Sequence, residues 1–187
     1  MTETLKIHEV IPCSRANGPS IRYTIWFQGC TFNCKGCINP ATHSTTDGYQ
    51  VSIDGLIKDI IANEKIEGIT LTGGEPLLQA ETIIIFLKEL KLRSNLGIIL
   101  LTGYSYSELK IKSYFPELST YTDLIVAGRY IEDQRISYGL RGSANKEYVF
   151  LTNRYTIEEI ENSPLAEIQF FDNKKIISGS FIDIFLE

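Results

Sequence analysis

The chain has 187 residues, of which 43% are hydrophobic and 22% are charged, a composition typical of globular proteins. This length predicts one domain with its own core and is too short for a closed eight-stranded (β/α) barrel, which needs roughly 250 residues. Lys and Arg number 18 and Asp and Glu number 23, giving a net charge of −5. Neither nucleic acid nor a membrane surface is therefore expected as the main partner.

No targeting segment or membrane-spanning segment is recognisable in the sequence. The N-terminus lacks the basic stretch and apolar run of a secretory signal. The longest apolar runs, such as 83–87 and 97–101, fall far short of the roughly 20 residues that span a bilayer. We therefore expect a cytoplasmic protein with reduced thiols, in which a tight group of cysteines indicates a metal site or a catalytic site rather than disulfides.

The predicted elements alternate between strands and helices through most of the chain. Runs rich in β-branched and apolar residues predict strands at 21–28, 68–72, 97–102 and 123–127. Helices are predicted from a cap at Ser52 through 65, over about 80–93, and from a capping box formed by Ser105 and Glu108. This alternation predicts βαβ units around a parallel sheet.

The sequence changes character after about residue 148. Thr156 with Glu159 forms another capping box. Apolar runs at 168–171 and 175–177 flank the polar pair at 172–173, a pattern that predicts a β-hairpin. We expect residues 1–150 to form the α/β core and residues 151–187 to form a small appendage packed on it.

Unusual loop sequences follow the end of each predicted strand. Cys30 follows the first strand, Gly73-Gly74-Glu75-Pro76 the second, Gly103-Tyr104 the third and Gly128-Arg129 the fourth. Active sites of parallel α/β folds lie at the carboxyl edge of the sheet. The placement of these loops is therefore consistent with one shared site.

The cysteine spacing is the most informative motif. Cys30, Cys34 and Cys37 are arranged as C-x3-C-x2-C, and a loop with this spacing can bring three thiolates to an iron–sulfur cluster. Full protein ligation of a four-iron cluster takes four cysteines, so three ligands leave one iron open to a small molecule. The alternative is a zinc site, for which Cys13 or His43 would supply a fourth ligand. For Cys13 itself we favour a buried or loop thiol outside the site.

A C-x3-C-x2-C motif after a strand resembles the signature of the radical S-adenosylmethionine (SAM) superfamily. This resemblance implies a [4Fe-4S] cluster on Cys30, Cys34 and Cys37, with SAM chelating the open iron through its amino and carboxylate groups. Reductive cleavage of SAM would then produce a 5′-deoxyadenosyl radical that abstracts hydrogen. The segment from Thr72 to Pro76 resembles the superfamily motif for the SAM amino group. The cofactor contacts implied by the resemblance are Gly36, Ile38, Gly73, Gly74 and Glu75.

Further segments resemble the activating proteins of anaerobic ribonucleotide reductase, over roughly residues 5–150. They are the sequences NGPSIR at 17–22, TGY at 102–104, LIVAGRY at 124–130 and RGSAN at 141–145. The resemblance implies an oxidoreductase that acts on a glycine of a glycyl radical enzyme, with an electron donor such as flavodoxin or ferredoxin. It also implies an incomplete parallel (β/α) barrel, open towards a protein loop.

Two departures from the family pattern leave other targets open. Ala127 stands where the family usually has Asp, and Ser20 replaces a glycine. The alternatives are a radical SAM enzyme that modifies another protein, a peptide or a small metabolite, or a non-catalytic iron–sulfur or zinc module. Arg22, Arg129 and Arg141 are candidates for binding the SAM carboxylate or a partner's acidic loop, with ion pairing inside the protein as the alternative.

Overall fold

The computed structural model describes residues 3–171 and 174–179. The described strands are β1 (Thr4–Ser14), β2 (Arg22–Phe27), β3 (Tyr49–Ser52), β4 (Gly68–Gly73), β5 (Gly97–Thr102), β6 (Leu124–Ala127), β7 (Glu147–Phe150), β8 (Ala166–Phe171) and β9 (Lys174–Gly179). The described α-helices are α1 (Ile53–Ala62), α2 (Ala80–Arg93), α3 (Tyr106–Lys110), α4 (Phe115–Tyr121) and α5 (Ile157–Glu161).

Seven strands form a mixed sheet in the order β3-β1-β2-β4-β5-β6-β7. The four central strands, β2, β4, β5 and β6, are parallel to one another, which confirms the predicted βαβ core. The three outer strands differ from the expectation of a parallel sheet, because β1, β3 and β7 each pair antiparallel. None of the three was predicted. Their pairing is therefore an addition to the parallel core.

The two faces of the sheet have different chemistry because successive side chains of a strand point to opposite faces. On one face Tyr23, Ile25, Ile69 and Leu71 join the main core under the helices. On the other face β2 and β4 carry polar residues, whereas Ile99, Leu124 and Val126 of β5 and β6 belong to a smaller apolar cluster. The buried polar residues of β2 and β4 on this second face include Arg22, Thr24, Thr70 and Thr72.

Helix caps fall where the sequence predicts them. The Ser52 hydroxyl accepts a hydrogen bond from the Gly55 amide at 3.2 Å, and both predicted capping boxes are present, at Ser105 and at Thr156. Helix α1 ends at Ala62 rather than at 65, because Asn63 leaves the helical backbone. The helix expected after Ser105 is a single turn and a half, α3, followed by α4.

The segment after β7 contacts the core through β8 and β9. These strands pair antiparallel, with Ile168 opposite Ile177, and the expected turn at 172–173 lies outside the described residues. The Glu167 carboxylate accepts hydrogen bonds from the Ser14 hydroxyl and, at 2.9 Å, from the Arg15 amide. Among the described residues, no helix combines the length and apolar character needed to cross a membrane.

Candidate functional site

A cavity lies where the loops after β2, β4 and β5 meet, at the carboxyl edge of the parallel strands. All three clustered cysteines line it, together with Thr72 and the glycines that follow. The predicted site residues that line this cavity are Cys30, Cys34, Cys37, Ile38, Gly73, Gly74 and Glu75. The structure therefore brings the cysteine motif and the Gly-Gly-Glu-Pro motif into one site.

Gly36 has a different position from the other predicted site residues. It is not among the residues that line the cavity. Its φ of +66° lies in the left-handed region, and a Cβ there would come within 2.5 Å of Glu132 Oε1. Glu132 also pairs with Lys35 at 3.0 Å. A glycine at 36 therefore lets the cysteine loop turn against the segment that carries Glu132.

Backbone hydrogen bonds fix the start of the cysteine loop. The Gly29 amide donates to the Thr42 carbonyl at 2.8 Å, and the Cys30 amide donates to the His43 carbonyl at 3.1 Å. The amide of Cys37 donates to the Cys34 carbonyl at 3.3 Å, closing a tight turn between the last two cysteines. The segment after the cysteines therefore folds back along the end of β2.

Phe32, between the first two cysteines, holds the loop against β5 and β6. Its ring makes an edge contact with Tyr104, with centroids 4.9 Å apart. The Arg129 guanidinium lies 4.4 Å from the centre of the same ring. Arg129 in turn donates two hydrogen bonds to Glu108, at 2.9 and 3.0 Å. Ion pairing, the alternative considered for Arg129, is thus confirmed.

The cysteine thiols are free and partly buried. Burial raises the pKa of Cys30 and of Cys37, while backbone amides that donate to their sulfurs act in the opposite direction. Metal ligation requires thiolates, so a bound positive centre would have to overcome this desolvation. Hydrogen bonds to the sulfurs are among the factors that set the reduction potential of an iron–sulfur cluster.

Glu75 is buried, with 1% of its surface exposed, and its carboxylate bonds to the protein itself. Oε1 accepts hydrogen bonds from the Leu77 amide at 2.9 Å and the Thr102 hydroxyl at 2.8 Å. Oε2 accepts one from the Gly103 amide at 2.7 Å. Burial raises the pKa of this carboxyl, and these three donors oppose the rise. The carboxylate thus ties the loops after β4 and β5 together.

The other two candidate arginines differ in position. Arg22 is fully buried and donates to the Thr70 hydroxyl at 2.6 Å and to the Ile69 carbonyl at 2.6 Å. It therefore joins β2 to β4 and does not line the cavity. Arg141 lines the cavity and pairs with Glu161 at 3.1 Å, so internal ion pairing is confirmed for it as well.

Cys13 and His43, the residues considered as a fourth metal ligand, lie in different surroundings. Cys13 packs against the main core and accepts a hydrogen bond from Asn63 Nδ2 at 3.3 Å, and it does not line the cavity. His43 lines the cavity. Its position beside the cysteine loop results from the backbone hydrogen bond to Cys30.

The cavity has polar atoms that suit a bound polar group. His43 Nε2 and Arg141 Nε are buried and have no hydrogen-bond partner among the described residues, and both residues line the cavity. Within 3–171 and 174–179, no three His, Cys, Asp or Glu side chains are grouped closely enough to hold a metal ion. A four-iron cluster differs from such a site, because each cysteine binds its own iron. The free thiols and unpaired polar atoms therefore fit a cluster with a polar ligand.

Comparison with known proteins agrees with this geometry. A family model described as a 4Fe-4S single cluster domain matches residues 16–149. The chain is 32% identical over 162 residues to the anaerobic ribonucleoside-triphosphate reductase-activating protein of Vibrio cholerae, an alignment that covers 82% of this chain and 100% of the relative. The chain belongs to the radical SAM activating proteins of glycyl radical enzymes.

Other members of this activating family show the same relation at different coverage. The corresponding reductase-activating protein of Haemophilus influenzae is 34% identical over 145 residues, covering 72% of this chain and 91% of the relative. The pyruvate formate-lyase 1-activating enzyme of Escherichia coli K12 is 29% identical over 148 residues, covering 75% of this chain but 58% of the relative. The cofactors of this family are a [4Fe-4S] cluster and SAM.

Several cavity residues of this family member were not predicted as site residues. Lys146 lines the cavity. It directly follows RGSAN at 141–145, a segment that resembles the reductase-activating proteins, but it was not itself predicted to contribute to the site. Asn17 belongs to the NGPSIR segment and also lines it. Strand β9 contributes Ile177 and Ser178, for which the sequence carries no signal, because their position depends on contacts between distant parts of the chain.

Proposed function

We propose that this protein holds a [4Fe-4S] cluster on Cys30, Cys34 and Cys37, cleaves SAM reductively and takes a hydrogen atom from a glycine of a partner enzyme. The observation that carries the proposal is the meeting of these three free thiols with the Gly73–Glu75 loop in one cavity. When bound, the cluster supplies an electron and SAM supplies the hydrogen-abstracting group. The protein binds and orients both and limits access of water.

The loop after β4 is proposed to approach SAM through its backbone. A Cβ at Gly74 would lie 2.3 Å from the Gly29 carbonyl oxygen, so glycine is needed where this loop meets the cysteine loop. Glu75 is proposed to orient this loop, because its carboxylate already accepts three hydrogen bonds from the protein. Ile38, at the cavity wall, would contact an apolar part of the cofactor, and Gly36 would set the turn of the cysteine loop.

The proposed architecture is a partial radical SAM barrel of residues 1–150 with an appendage of residues 151–187 packed on it. The second face of β2 and β4 carries buried polar residues and adjoins the cavity. This supports its assignment as the inner face of the partial barrel. Contacts of Glu167 with Ser14 and Arg15 support the packing of the appendage on the core. The paired strands β8 and β9 support a C-terminal hairpin.

An anaerobic ribonucleotide reductase is proposed as the partner. The support is the coverage of the relatives: alignments span 100% and 91% of two reductase-activating proteins but 58% of a pyruvate formate-lyase activator. A flavodoxin or a ferredoxin is proposed as electron donor. The free cysteines are consistent with a reducing cytoplasm.

Anaerobic reconstitution with iron and sulfide tests this function directly. After addition of reductant and SAM, we expect 5′-deoxyadenosine, and with an anaerobic reductase present we expect a glycyl radical signal in its electron paramagnetic resonance spectrum. A pyruvate formate-lyase in a parallel sample should give a weaker signal or none. A protein that binds about one zinc per chain and forms no deoxyadenosine contradicts the proposal.

A matched pair of cysteine variants tests the assignment of ligands. Cys34→Ala should lose the cluster and SAM cleavage, because it removes one of three ligands. Cys13→Ala should retain both, since Cys13 lies apart from the cavity beside Asn63. Loss of the cluster in the Cys13 variant would show that the protein binds the cluster with a fourth cysteine, so that no iron is left open to SAM.

A further inference from the structure

Lys146 is a basic side chain at the cavity whose ammonium group no described residue pairs with. It lines the cavity with Cys34, Cys37 and Glu75, and its ammonium group makes no hydrogen bond or ion pair with any described residue. Burial lowers the pKa of Lys146, while the charges of these three neighbours act to raise it. None of these neighbours is within ion-pair distance of the ammonium group, and a partly buried charge that is not paired is costly, so the cavity favours a ligand that brings an anion to this position.

The position of Lys146 is fixed by its backbone and stem. Its amide donates to the Ser143 carbonyl at 3.2 Å, immediately before β7 begins. Its stem passes over Gly128 at the end of β6, where an added Cβ would come within 3.3 Å of Lys146 Cγ. Lys146 is thereby held at the end of β6 and the start of β7, where it lines the cavity.

The arginines considered for anion binding already bind other groups of the protein, although Arg141 Nε has no partner among the described residues. Arg129 forms two hydrogen bonds with Glu108. Arg141 pairs with Glu161 and lies over the rings of Tyr138 and Tyr148. Arg22 donates to the carbonyls of Ile69 and Gly97 and does not line the cavity. Among the described Lys and Arg residues that line the cavity, Lys146 is the one whose charge is unmatched.

We propose that Lys146 binds the carboxylate of SAM. This inference rests on the proposed function, because it assumes that SAM occupies the cavity. The carboxylate of SAM is an anion, and in a partly buried site it needs a cation or several donors. A lysine ammonium offers a compact charge with three donors. Lys146 would therefore set the orientation of the methionine portion of SAM beside the cysteines.

Equilibrium binding to the reconstituted holoprotein tests the assignment without turnover, because no reductant is added. The probes are SAM and decarboxylated SAM, which lacks only the carboxylate. Lys146→Gln should weaken SAM binding by about 10- to 100-fold and leave the affinity for decarboxylated SAM unchanged. Lys88→Gln, at an exposed position of α2, is the matched control and should bind both probes as the wild type does.

The outcomes separate this inference from the proposed function. A wild-type protein that fails to hold a cluster or to bind SAM contradicts the proposed function itself. If the wild type binds SAM and Lys146→Gln binds it equally well, or weakens both probes alike, the assignment of Lys146 is overturned. A Lys146→Gln protein with less iron and sulfide per chain than the wild type also overturns it, because the lysine would then act on the cluster.

Discussion

The Glu75 carboxylate accepts a hydrogen bond from the Thr102 hydroxyl at 2.8 Å and thereby joins the ends of two adjacent parallel strands. The same carboxylate accepts from the Gly103 amide at 2.7 Å. Glu75 belongs to a motif associated with SAM, but its carboxylate is used to hold the loops after β4 and β5 together. Its contribution to the site is to keep the carboxyl edge of β4 and β5 in register around the cavity.

Glu75→Gln is expected to destabilise the protein by about 1–3 kcal/mol. The side-chain NH2 group of glutamine cannot accept a hydrogen bond, so at least one of the three buried donors loses its partner. Urea unfolding monitored by circular dichroism measures the change. Glu81→Gln, at an exposed position in the first turn of α2, is the control. Equal unfolding midpoints for the Glu75 variant and the wild type would show that the hydrogen bonds accepted by Glu75 add no stability.

The pair formed by Glu108 and Arg129 predicts a pH dependence. Hydrogen bonding from Arg129 and from the Ser105 amide lowers the pKa of Glu108 from 4.5 to about 2. A folded-state pKa below the unfolded value stabilises the protein above pH 4.5, and this contribution is lost as the pH falls towards 2. Because both side chains are more than a third exposed, the contribution is expected to stay below about 1 kcal/mol.

Urea unfolding of the wild type and Glu108→Gln at two pH values checks this pH dependence. The difference in unfolding free energy between the two proteins should be present at pH 7. It should be smaller at pH 3.5, because part of the stabilisation from the lowered pKa of Glu108 is lost at that pH. Glu117→Gln, at an exposed position in the first turn of α4, controls for the loss of a helix N-terminal charge. A difference that grows on acidification would contradict the assigned direction.

Arg22 is expected to be the most sensitive charged residue of the sheet. It is fully buried and donates to the carbonyls of Ile69 and Gly97, at 2.6 and 3.0 Å. It also donates to the Tyr155 hydroxyl at 2.9 Å. Arg22→Met leaves these acceptors buried without donors, at roughly 1–3 kcal/mol each. We therefore expect a loss of about 3 kcal/mol or more in the free energy of unfolding.

The matched control for Arg22 is Arg93→Met at the exposed end of α2. Among the described residues Arg93 pairs with the side chains of Asp54 and Glu89, which are about half exposed, and such pairs contribute about 0.2–1 kcal/mol. Both variants are compared by urea unfolding at pH 7. Similar destabilisation in the two proteins would mean that the buried network around Arg22 is replaceable by apolar packing.

Sequence patterns were sufficient where the structure depends on local chemistry. Helix 80–93 and strand 97–102 have the predicted bounds, because their apolar periodicity and flanking polar residues are local signals. The cysteine spacing and the Gly-Gly-Glu-Pro motif likewise predicted residues that meet in the cavity. Strands β1 and β7 were not predicted, because they are defined by antiparallel pairing with distant partners.

Non-local contacts also explain what sequence reasoning missed in the site. Nothing adjacent to Lys146 in the chain indicates that this residue lines the same cavity as the cysteines, since its placement depends on the contact of its stem with Gly128. Similarly, the motif alone could not show that the Glu75 carboxylate is used by Thr102 and Gly103. Such assignments require knowledge of which loops lie side by side.

The contact of β8 with the end of β1 yields the last prediction. Glu167 accepts hydrogen bonds from the Ser14 hydroxyl, the Arg15 amide and the Ser178 hydroxyl, the last at 3.0 Å. Asn17, which lines the cavity, also donates to Ser178, at 3.0 Å. Glu167→Gln should weaken this network, because an amide has one acceptor oxygen in place of two.

Amide hydrogen exchange followed by mass spectrometry measures the local opening of β8 and β9. In Glu167→Gln we expect faster exchange in β8 and β9 and unchanged exchange in β4 and β5, because local opening costs less than global unfolding. Glu158→Gln, exposed on α5, is the control and should leave both regions unchanged. Equally faster exchange in β4 and β5 would show that these strands open together with β8 and β9. Unchanged exchange in β9 would show that other contacts, such as the Gln169 side chain on the Cys13 carbonyl at 2.6 Å, are sufficient to hold it.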